Sequence, residues 1–194
     1  PSSACGATNC SASSSITSTG AKITWATNEA SNSQVEYGIT TSYGNATAIN
    51  TALVTAHSQA LSGLTASTLY HFRVKSRDAA GNLGTSGDFT FTTLAAPDTI
   101  APTVAITSPL SGSTVSGTVS VAASATDNIS VSRVEFFVDG ALKATDTTSP
   151  YGFSWDTTLV INGSHTLMAK AYDAAGNVGT SSLVTVTVSN TPSD

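Results

Sequence analysis

Short runs in which apolar and hydroxyl-bearing residues alternate recur along the whole chain, separated by clusters of Gly, Asn, Asp and Pro. Alternation with a period of two is typical of half-buried β-strands, and no stretch shows helical periodicity. In "STLYHFRVKSRD", for example, Tyr70, Phe72 and Val74 share one face, which predicts that they point into a core. The pattern predicts an all-β fold, built as a sandwich or a barrel.

The pentapeptide "DAAGN" occurs twice, at 78–82 and 173–177, each time after a strand pattern and before the last strand of a set. This position predicts a hairpin turn in which Gly supplies a positive φ. With 194 residues the chain is long enough for two domains, and the prolines of "LAAPDTIAP" indicate a short, stiff linker. We therefore predict a Ser-rich segment 1–13, a first domain 14–94, a linker 95–101, a second domain 102–190 and a tail 191–194.

Charged residues make up only 10% of the chain, hydrophobic residues make up 40%, and the net charge is −5. Seven Lys plus Arg form no basic stripe, which argues against a nucleic-acid partner. No apolar run is long enough for membrane insertion. Cys5 and Cys10 are close in sequence, and they form either a small disulfide-closed loop or two free thiols. The paired cysteines and the hydroxyl-rich surface favour an extracellular or cell-surface location.

Catalytic motifs are missing from the sequence. The three histidines His57, His71 and His165 are scattered over strand patterns, and none belongs to an HExxH motif. There is also no G-x-S-x-G nucleophile motif. We predict that the chain is not an enzyme.

Two stretches resemble known β-sandwich modules. Residues 14–93 are similar to a bacterial fibronectin type III domain, with Trp25 at the position of the core tryptophan and "LTASTLYHFRV" placing Leu64 and Tyr70 at the tyrosine corner. Residues 99–189, through "APTVAITSP", "VEFFVDG" and "GSHTLMAKAYDAAGNVGTS", resemble the bacterial immunoglobulin-like modules of secreted glycosidases and surface proteins. The resemblance implies two tandem immunoglobulin-like β-sandwiches, the first fibronectin type III-like and the second bacterial Ig-like, and indicates fold more strongly than function.

Aromatic residues of the second domain are the candidates for a ligand surface. Tyr151, Phe153 and Trp155 of "YGFSW" share one face of a strand. Such a row of rings is either a platform for stacking a sugar or a set of core residues between two sheets. The core interpretation is favoured, because this domain has few other bulky residues. Phe137 alternates out of phase with the apolar positions around it, which makes it the better exposed ligand candidate.

Acidic residues of the second domain form a candidate calcium site. In an immunoglobulin-like topology, the loops after the second and sixth strands and the start of the first strand share one end. That end brings together Asp98, Asp127, Asn128 and Asp173, with Asn177. Ca²⁺ takes six to eight oxygen ligands of these types, and a bound ion would stiffen the junction between the domains. The alternative is that these side chains only hydrogen-bond their own turns.

The predicted function is a non-catalytic spacer in an extracellular multidomain protein, with the other domains of that protein as partners and no required cofactor. One alternative is a module that binds polysaccharide or a cell-surface protein. Another is a filament subunit in which residues 1–13 pair with a neighbour's sheet edge. That segment lacks the alternating apolar residues of a donor strand.

Overall fold

A computed structural model describes the backbone of residues 11 and 12 and all of residues 15–191. The chain divides into two compact units, the first ending at Pro97 and the second beginning at Asp98. Both are built almost entirely of β-strands, which confirms the all-β prediction. Within the described residues, no helix is long and apolar enough to cross a membrane.

The first unit is a two-sheet sandwich. Its described strands are β1 (Ser11–Ala12), β2 (Gly20–Gly38), β3 (Asn45–Ala46), β4 (Asn50–Ser62), β5 (Leu69–Arg77), β6 (Leu83–Thr85) and β7 (Phe89–Thr92). One sheet contains β1, the first part of β2 and β4, all antiparallel. The other contains the last part of β2, with β3 and β5 on its two sides, and β6 and β7 on the far edge of β5.

Strand β2 belongs to both sheets, a continuity that the sequence pattern did not predict. "AKITWAT" and "SQVEYG" read as separate runs because the polar residues between them are typical of a turn. In the structure these polar residues remain extended, and the β2–β4 register shifts between Ala26 and Ser33 as the strand passes between the sheets. Ser31 and Ser33 are buried there.

The core of the first unit follows the predicted alternation. Ile23, Trp25 and Val35 from β2 and Tyr70, Phe72 and Val74 from β5 are all buried, together with Ala21, Leu61, Leu64 and Phe91. Trp25 Nε1 donates a 3.0 Å hydrogen bond to Ser76 Oγ, so its polar atom is satisfied inside the core. Tyr70 Oη accepts a 3.0 Å hydrogen bond from the Thr65 amide, which ties the β4–β5 connection to the sheet.

The second unit is also a two-sheet sandwich. Its described strands are β8 (Thr103–Ser108), β9 (Thr114–Val115), β10 (Thr118–Thr126), β11 (Val131–Val138), β12 (Ala141–Asp146), β13 (Tyr151–Asp156), β14 (Gly163–Asp173), β15 (Val178–Thr180) and β16 (Val184–Val188), with a 3₁₀ turn at Thr157–Leu159. One sheet has the order β13-β10-β8 and the other the order β12-β11-β14-β16-β9, with β15 on β14. Among these described strands, only β9 and β16 pair in parallel.

Between these sheets lies an apolar core to which both contribute. Tyr151 and Trp155 are buried in the same core cluster as Phe136, and Phe153 packs on this cluster with its ring centroid 5.2 Å from that of Phe136. The row of three aromatic residues is therefore core and not an exposed platform. Asp139 and Gly140 both have positive φ, as a two-residue hairpin loop between β11 and β12 requires.

Each unit holds one buried histidine, and the two differ in their partners. His57 lies in the first unit between two hydroxyls, with Nδ1 2.7 Å from Ser33 Oγ and Nε2 2.8 Å from Thr27 Oγ1. A hydroxyl can donate or accept, so the neutral imidazole satisfies both contacts. Burial lowers the pKa of His57 below its usual 6.5.

His165 in the second unit has two partners that can only accept. Its Nδ1 is 2.6 Å from Asp139 Oδ2, and its Nε2 is 2.8 Å from the Ile161 carbonyl oxygen. Only the imidazolium carries both N–H groups, so these contacts favour the charged form. The hydrogen bond to Asp139, followed by the one to Ile161, raises the pKa of His165 above 6.5 despite its burial.

These histidines predict opposite pH responses in the two units. The contribution of His57 to stability is full above its unfolded pKa of 6.5 and is lost as the pH falls below that value. The contribution of His165 is full below 6.5 and is lost as the pH rises through its raised pKa. Between about pH 8 and about pH 5.5, we expect the urea midpoint of the first unit to fall and that of the second to rise.

The chain offers a direct measurement, because its two tryptophans, Trp25 and Trp155, lie one in each core. Their indole N–H signals in ¹⁵N-edited NMR spectra report the unfolding of each unit separately. His57→Gln should remove the histidine contribution from the first unit alone, and His165→Gln from the second alone. Parallel pH responses of the two wild-type units would contradict the assignment.

Candidate cation site

The two "DAAGN" segments form the same turn in the two units. In the second unit, Asp173 Oδ1 accepts from the Asn177 amide at 2.8 Å, and Asp173 Oδ2 accepts from Asn177 Nδ2 at 2.6 Å. Gly176 has a φ of +93°, which glycine adopts without strain. Asp78 and Asn82 repeat both contacts in the first unit, at 2.8 and 2.7 Å, with a φ of +90° at Gly81. The repeat is a repeated turn, so it does not by itself indicate a repeated site.

What separates the two turns is the surroundings of the second aspartate. Asp173 ends β14, Asp127 directly follows β10, and Asp98 precedes β8 in the same unit. One carboxylate oxygen from each of the three residues lies within 4.8 Å of the other two. Asp173 is only 3% exposed, whereas Asp98 and Asp127 are half-buried. The structure thus brings together the three acidic residues among the four that the sequence nominated as metal ligands.

Hydrogen bonds fix one oxygen of Asp127 and leave the other without a partner. Asp127 Oδ2 accepts from the amides of Ile129 at 3.0 Å and Ser130 at 3.1 Å, which closes the turn after β10. Asp127 Oδ1 is buried, with less than 1 Å² accessible, and has no hydrogen-bond partner. Among the side chains that the structure describes, it is the only buried nitrogen or oxygen atom without a hydrogen-bond partner.

Asn177 links the turn to the segment that carries Asp98. Besides its bond to Asp173, Asn177 Nδ2 donates to the Asp98 carbonyl oxygen at 3.2 Å. Asp98 Oδ1 accepts from the Ile100 amide at 3.1 Å and from Asn128 Nδ2 at 3.3 Å. Asn128 therefore directs its nitrogen, not its oxygen, at the cluster. Its amide oxygen as a metal ligand stays a prediction.

The charge state of the buried member favours an anionic cluster. Burial of the Asp173 carboxyl opposes ionisation, but hydrogen bonds from the Asn177 side chain and from the Asn177, Gly176 and Ala175 amides hold its pKa below the usual 3.8. None of the ion pairs found among the described residues includes Asp98, Asp127 or Asp173. The cluster is therefore a group of three carboxylates without an ion-pair partner in the part of the chain that the structure describes.

The remaining candidate residues lie elsewhere. Phe137 is half-buried on the outer face of β11, opposite Met168 of β14, and Lys170 Nζ is 5.3 Å from the centre of its ring. The lysine thus approaches the ring that a sugar would need for stacking. Cys5 and Cys10 lie outside the described residues, so their pairing stays a prediction.

Two family models match the chain, one in each unit. Residues 102–169 match the model described as "Bacterial Ig domain", and residues 9–93 match "Purple acid Phosphatase, N-terminal domain". The fibronectin(III)-like modules of Clostridium thermocellum CbhA share 27% identity, cover 47% of this chain and 99% of their own, and superpose with a TM-score of 0.42. The chain is a tandem of a fibronectin type III-like domain and a bacterial immunoglobulin-like domain. The predicted resemblance is confirmed, and the cation cluster belongs to the immunoglobulin-like domain.

Two bacterial proteins are similar in sequence to most of this chain. Chitinase A1 of Niallia circulans is 37% identical over 137 residues, which cover 66% of this chain and 18% of the relative. Exoglucanase B of Cellulomonas fimi is 37% identical over 177 residues, which cover 89% of this chain and 16% of the relative. The chain thus spans less than a fifth of the length of either protein.

Proposed function

We propose that this tandem is a non-catalytic spacer in an extracellular bacterial protein that degrades polysaccharide. The observation that carries the proposal is the match to Exoglucanase B, which runs through both domains of this chain yet occupies only 16% of the relative. A region shared in this way, at 37% identity, supports a role as an accessory part of a larger protein. The names chitinase and exoglucanase indicate enzymes that act on polysaccharides, which supports a parent protein of that class for this tandem.

The use of the polar side chains supports a non-catalytic role. His57 bonds Ser33 and Thr27, His71 bonds Asp88 at 2.7 Å, and His165 bonds Asp139 and the Ile161 carbonyl. His57 and His165 are buried as well, so a substrate cannot reach them. Each histidine thus serves the fold, and none is presented as a general base at a cleft.

A spacer should hold its neighbours without binding the substrate itself. We expect the full chain to be monomeric, to release no sugar from cellulose, chitin or xylan, and to stay in the supernatant when each insoluble polymer is sedimented. Light scattering on a sizing column, a reducing-sugar assay and quantitative sedimentation check the three expectations.

Each alternative function has a distinct outcome in the same experiments. Retention on one polymer that disappears in Phe137→Ala would replace the spacer proposal with a carbohydrate-binding module. Polymers that disappear when residues 1–13 are deleted would indicate a filament subunit. Ser11 and Ala12 pair with Thr24 and Ile23 of their own chain, so for these two residues strand addition to a neighbour would require release of that pairing.

A second experiment tests spacing directly. The tandem is inserted between a catalytic domain and a cellulose-binding domain, and compared with a flexible Gly/Ser linker and with two unrelated sandwich domains. A spacer predicts that the unrelated domains restore activity on insoluble cellulose as well as the tandem does. Activity on a soluble substrate is the control and should be equal in all three proteins. Restoration by this tandem alone would contradict a spacer role.

A further inference from the structure

The acidic cluster of the immunoglobulin-like domain combines two independent features. Three carboxylates from segments distant in sequence converge to within 4.8 Å. In addition, Asp127 Oδ1 is buried without any hydrogen-bond partner. We propose that the immunoglobulin-like domain binds a calcium ion through the carboxylates of Asp98, Asp127 and Asp173.

The unpartnered oxygen is the observation that points to a ligand. A buried polar atom without a partner loses its hydration and gains nothing in exchange, and a carboxylate oxygen is more costly to bury than a neutral one. Asp127 has no need of this oxygen for its turn, because Oδ2 alone accepts from Ile129 and Ser130. A cation beside Oδ1 would supply the missing partner.

Electrostatics favours a cation over a rearrangement of the cluster. Like charges at this separation repel, and the repulsion is larger where water is partly excluded. Both carboxylate oxygens of Asp173 are held in place by Asn177, whose main-chain amide donates to Oδ1 and whose side-chain nitrogen donates to Oδ2. Asn177 also bonds the Asp98 carbonyl, and Asn128, the neighbour of Asp127, donates to Asp98 Oδ1 at 3.3 Å. The segments that carry the three acidic residues are therefore joined by hydrogen bonds. A divalent ion would balance most of their charge.

The donor set selects calcium among common ions. All three side chains offer oxygen, and the cluster contains no His or Cys for zinc. Ca²⁺ accepts irregular arrangements of six to eight oxygens, whereas Mg²⁺ demands a near-ideal octahedron and gives up water reluctantly. Three carboxylates provide three to six of these oxygens, and water molecules complete the shell. Calcium sites of extracellular modules bind with dissociation constants of about 10⁻⁴–10⁻³ M, which sets the concentration range for a titration.

The first domain provides a matched internal control. Asp78 makes the same two hydrogen bonds to Asn82 that Asp173 makes to Asn177, but it belongs to no cluster of three acidic or metal-binding side chains among the described residues. Its turn should therefore not respond to calcium. The comparison separates a calcium site from a general effect of salt on the two DAAGN turns.

The test is a calcium titration of the chelator-washed full chain, followed by ¹H–¹⁵N NMR spectra and thermal unfolding. We expect the amide signals of Ile129, Ser130 and Asn177 to shift with one saturable curve, while that of Asn82 stays in place. At about ten times the dissociation constant, calcium should raise the unfolding temperature of the immunoglobulin-like domain by roughly 5–10 °C. The same concentration of magnesium should give a much smaller shift.

Asp127→Asn is the decisive variant. An amide oxygen at the Oδ2 position keeps the bonds from Ile129 and Ser130. An NH₂ at the Oδ1 position replaces an unpartnered anionic oxygen with a neutral hydrogen-bond donor and removes one negative charge from the cluster. We expect this variant to lose the calcium response and to unfold at a higher temperature than the wild type in chelator. Asp98→Asn should also lose the response, and Asp78→Asn should retain it in full.

Two results would overturn the proposal: a wild-type chain without a saturable shift at Ile129, Ser130 and Asn177, or Asp127→Asn and Asp98→Asn variants that respond as the wild type does. Neither result bears on the spacer role, which is tested by binding to polymers. Calcium-dependent stability in the wild type, lost in both cluster variants and kept in Asp78→Asn, would establish the site.

Discussion

Phe136→Ala is expected to destabilise the immunoglobulin-like domain by about 3–5 kcal/mol, the usual cost of removing a buried phenylalanine ring. Phe136 is 1% exposed and lies in the middle of β11, with the Phe153 ring 5.2 Å away. Its removal leaves a cavity between the two sheets that Phe153 and Trp155 cannot fill without leaving their own positions. Since whole domains have stabilities of about 5–15 kcal/mol, much of the fold's stability would be lost.

Phe137→Ala is the matched control, because the two residues are neighbours of the same type on opposite faces. The ring of Phe137 is half-buried beside Lys170, so its loss removes a small contact area and a weak cation–π interaction. We expect a change of at most about 1.5 kcal/mol. Urea unfolding followed at the Trp155 indole signal measures both variants, and the Trp25 signal should be unaffected. Equal losses of unfolding free energy in the two variants would contradict the placement of Phe136 in the core and of Phe137 on the outer face.

The contrast between Phe136 and Phe137 is a case in which sequence pattern was sufficient. Successive side chains of a strand point to opposite faces, so the alternation of Val134, Phe136 and Val138 with the residues between them identifies the buried face. The same logic predicted Tyr70, Phe72 and Val74. Where one face of a strand is apolar and the other is not, local sequence determines the interior.

Local sequence was insufficient where polar residues are buried. Ser31 and Ser33 occur in a run that looks like a turn, yet both are 1% exposed and belong to a continuous strand. Ser33 bonds His57, which is far away in sequence and stacks on Trp25 with ring centroids 4.9 Å apart. A buried polar group depends on a partner from another strand, and a pattern read along one strand does not contain that partner.

The acidic cluster has one feature that the sequence predicts and others that it does not. That Asp98, Asp127 and Asp173 share one end of a sandwich follows from strand order, and the sequence was enough for it. That Asp127 Oδ1 lacks a partner, and that Asn128 directs its nitrogen to Asp98, depends on side-chain rotamers and on hydrogen bonds between loops. Asn177 has its role for the same reason, since its bond to the Asp98 carbonyl joins residues on different segments.

Gly179→Ala is expected to destabilise the immunoglobulin-like domain by more than about 2 kcal/mol, because it inserts a methyl group where no space exists. Gly179 lies in β15, and a Cβ at this position would overlap the carbonyl oxygen of Pro102. The clash involves backbone on both sides, so a side-chain rotation cannot relieve it. Either β15 leaves β14 or the segment before β8 moves away.

The same substitution connects the fold to the proposed calcium site, because the segment that Pro102 ends is the one that carries Asp98. Movement of that segment would withdraw one carboxylate, so we expect Gly179→Ala to weaken calcium binding as well as folding.

Gly87→Ala is the control, since its Cβ would meet nothing within 4 Å and its φ is not in the left-handed region. It should change the stability of its own domain by no more than about 1 kcal/mol and leave the calcium response intact. Calorimetric titration of both folded variants gives the affinities, and a Gly179→Ala chain as stable as the wild type would show that Pro102 does not pack on β15.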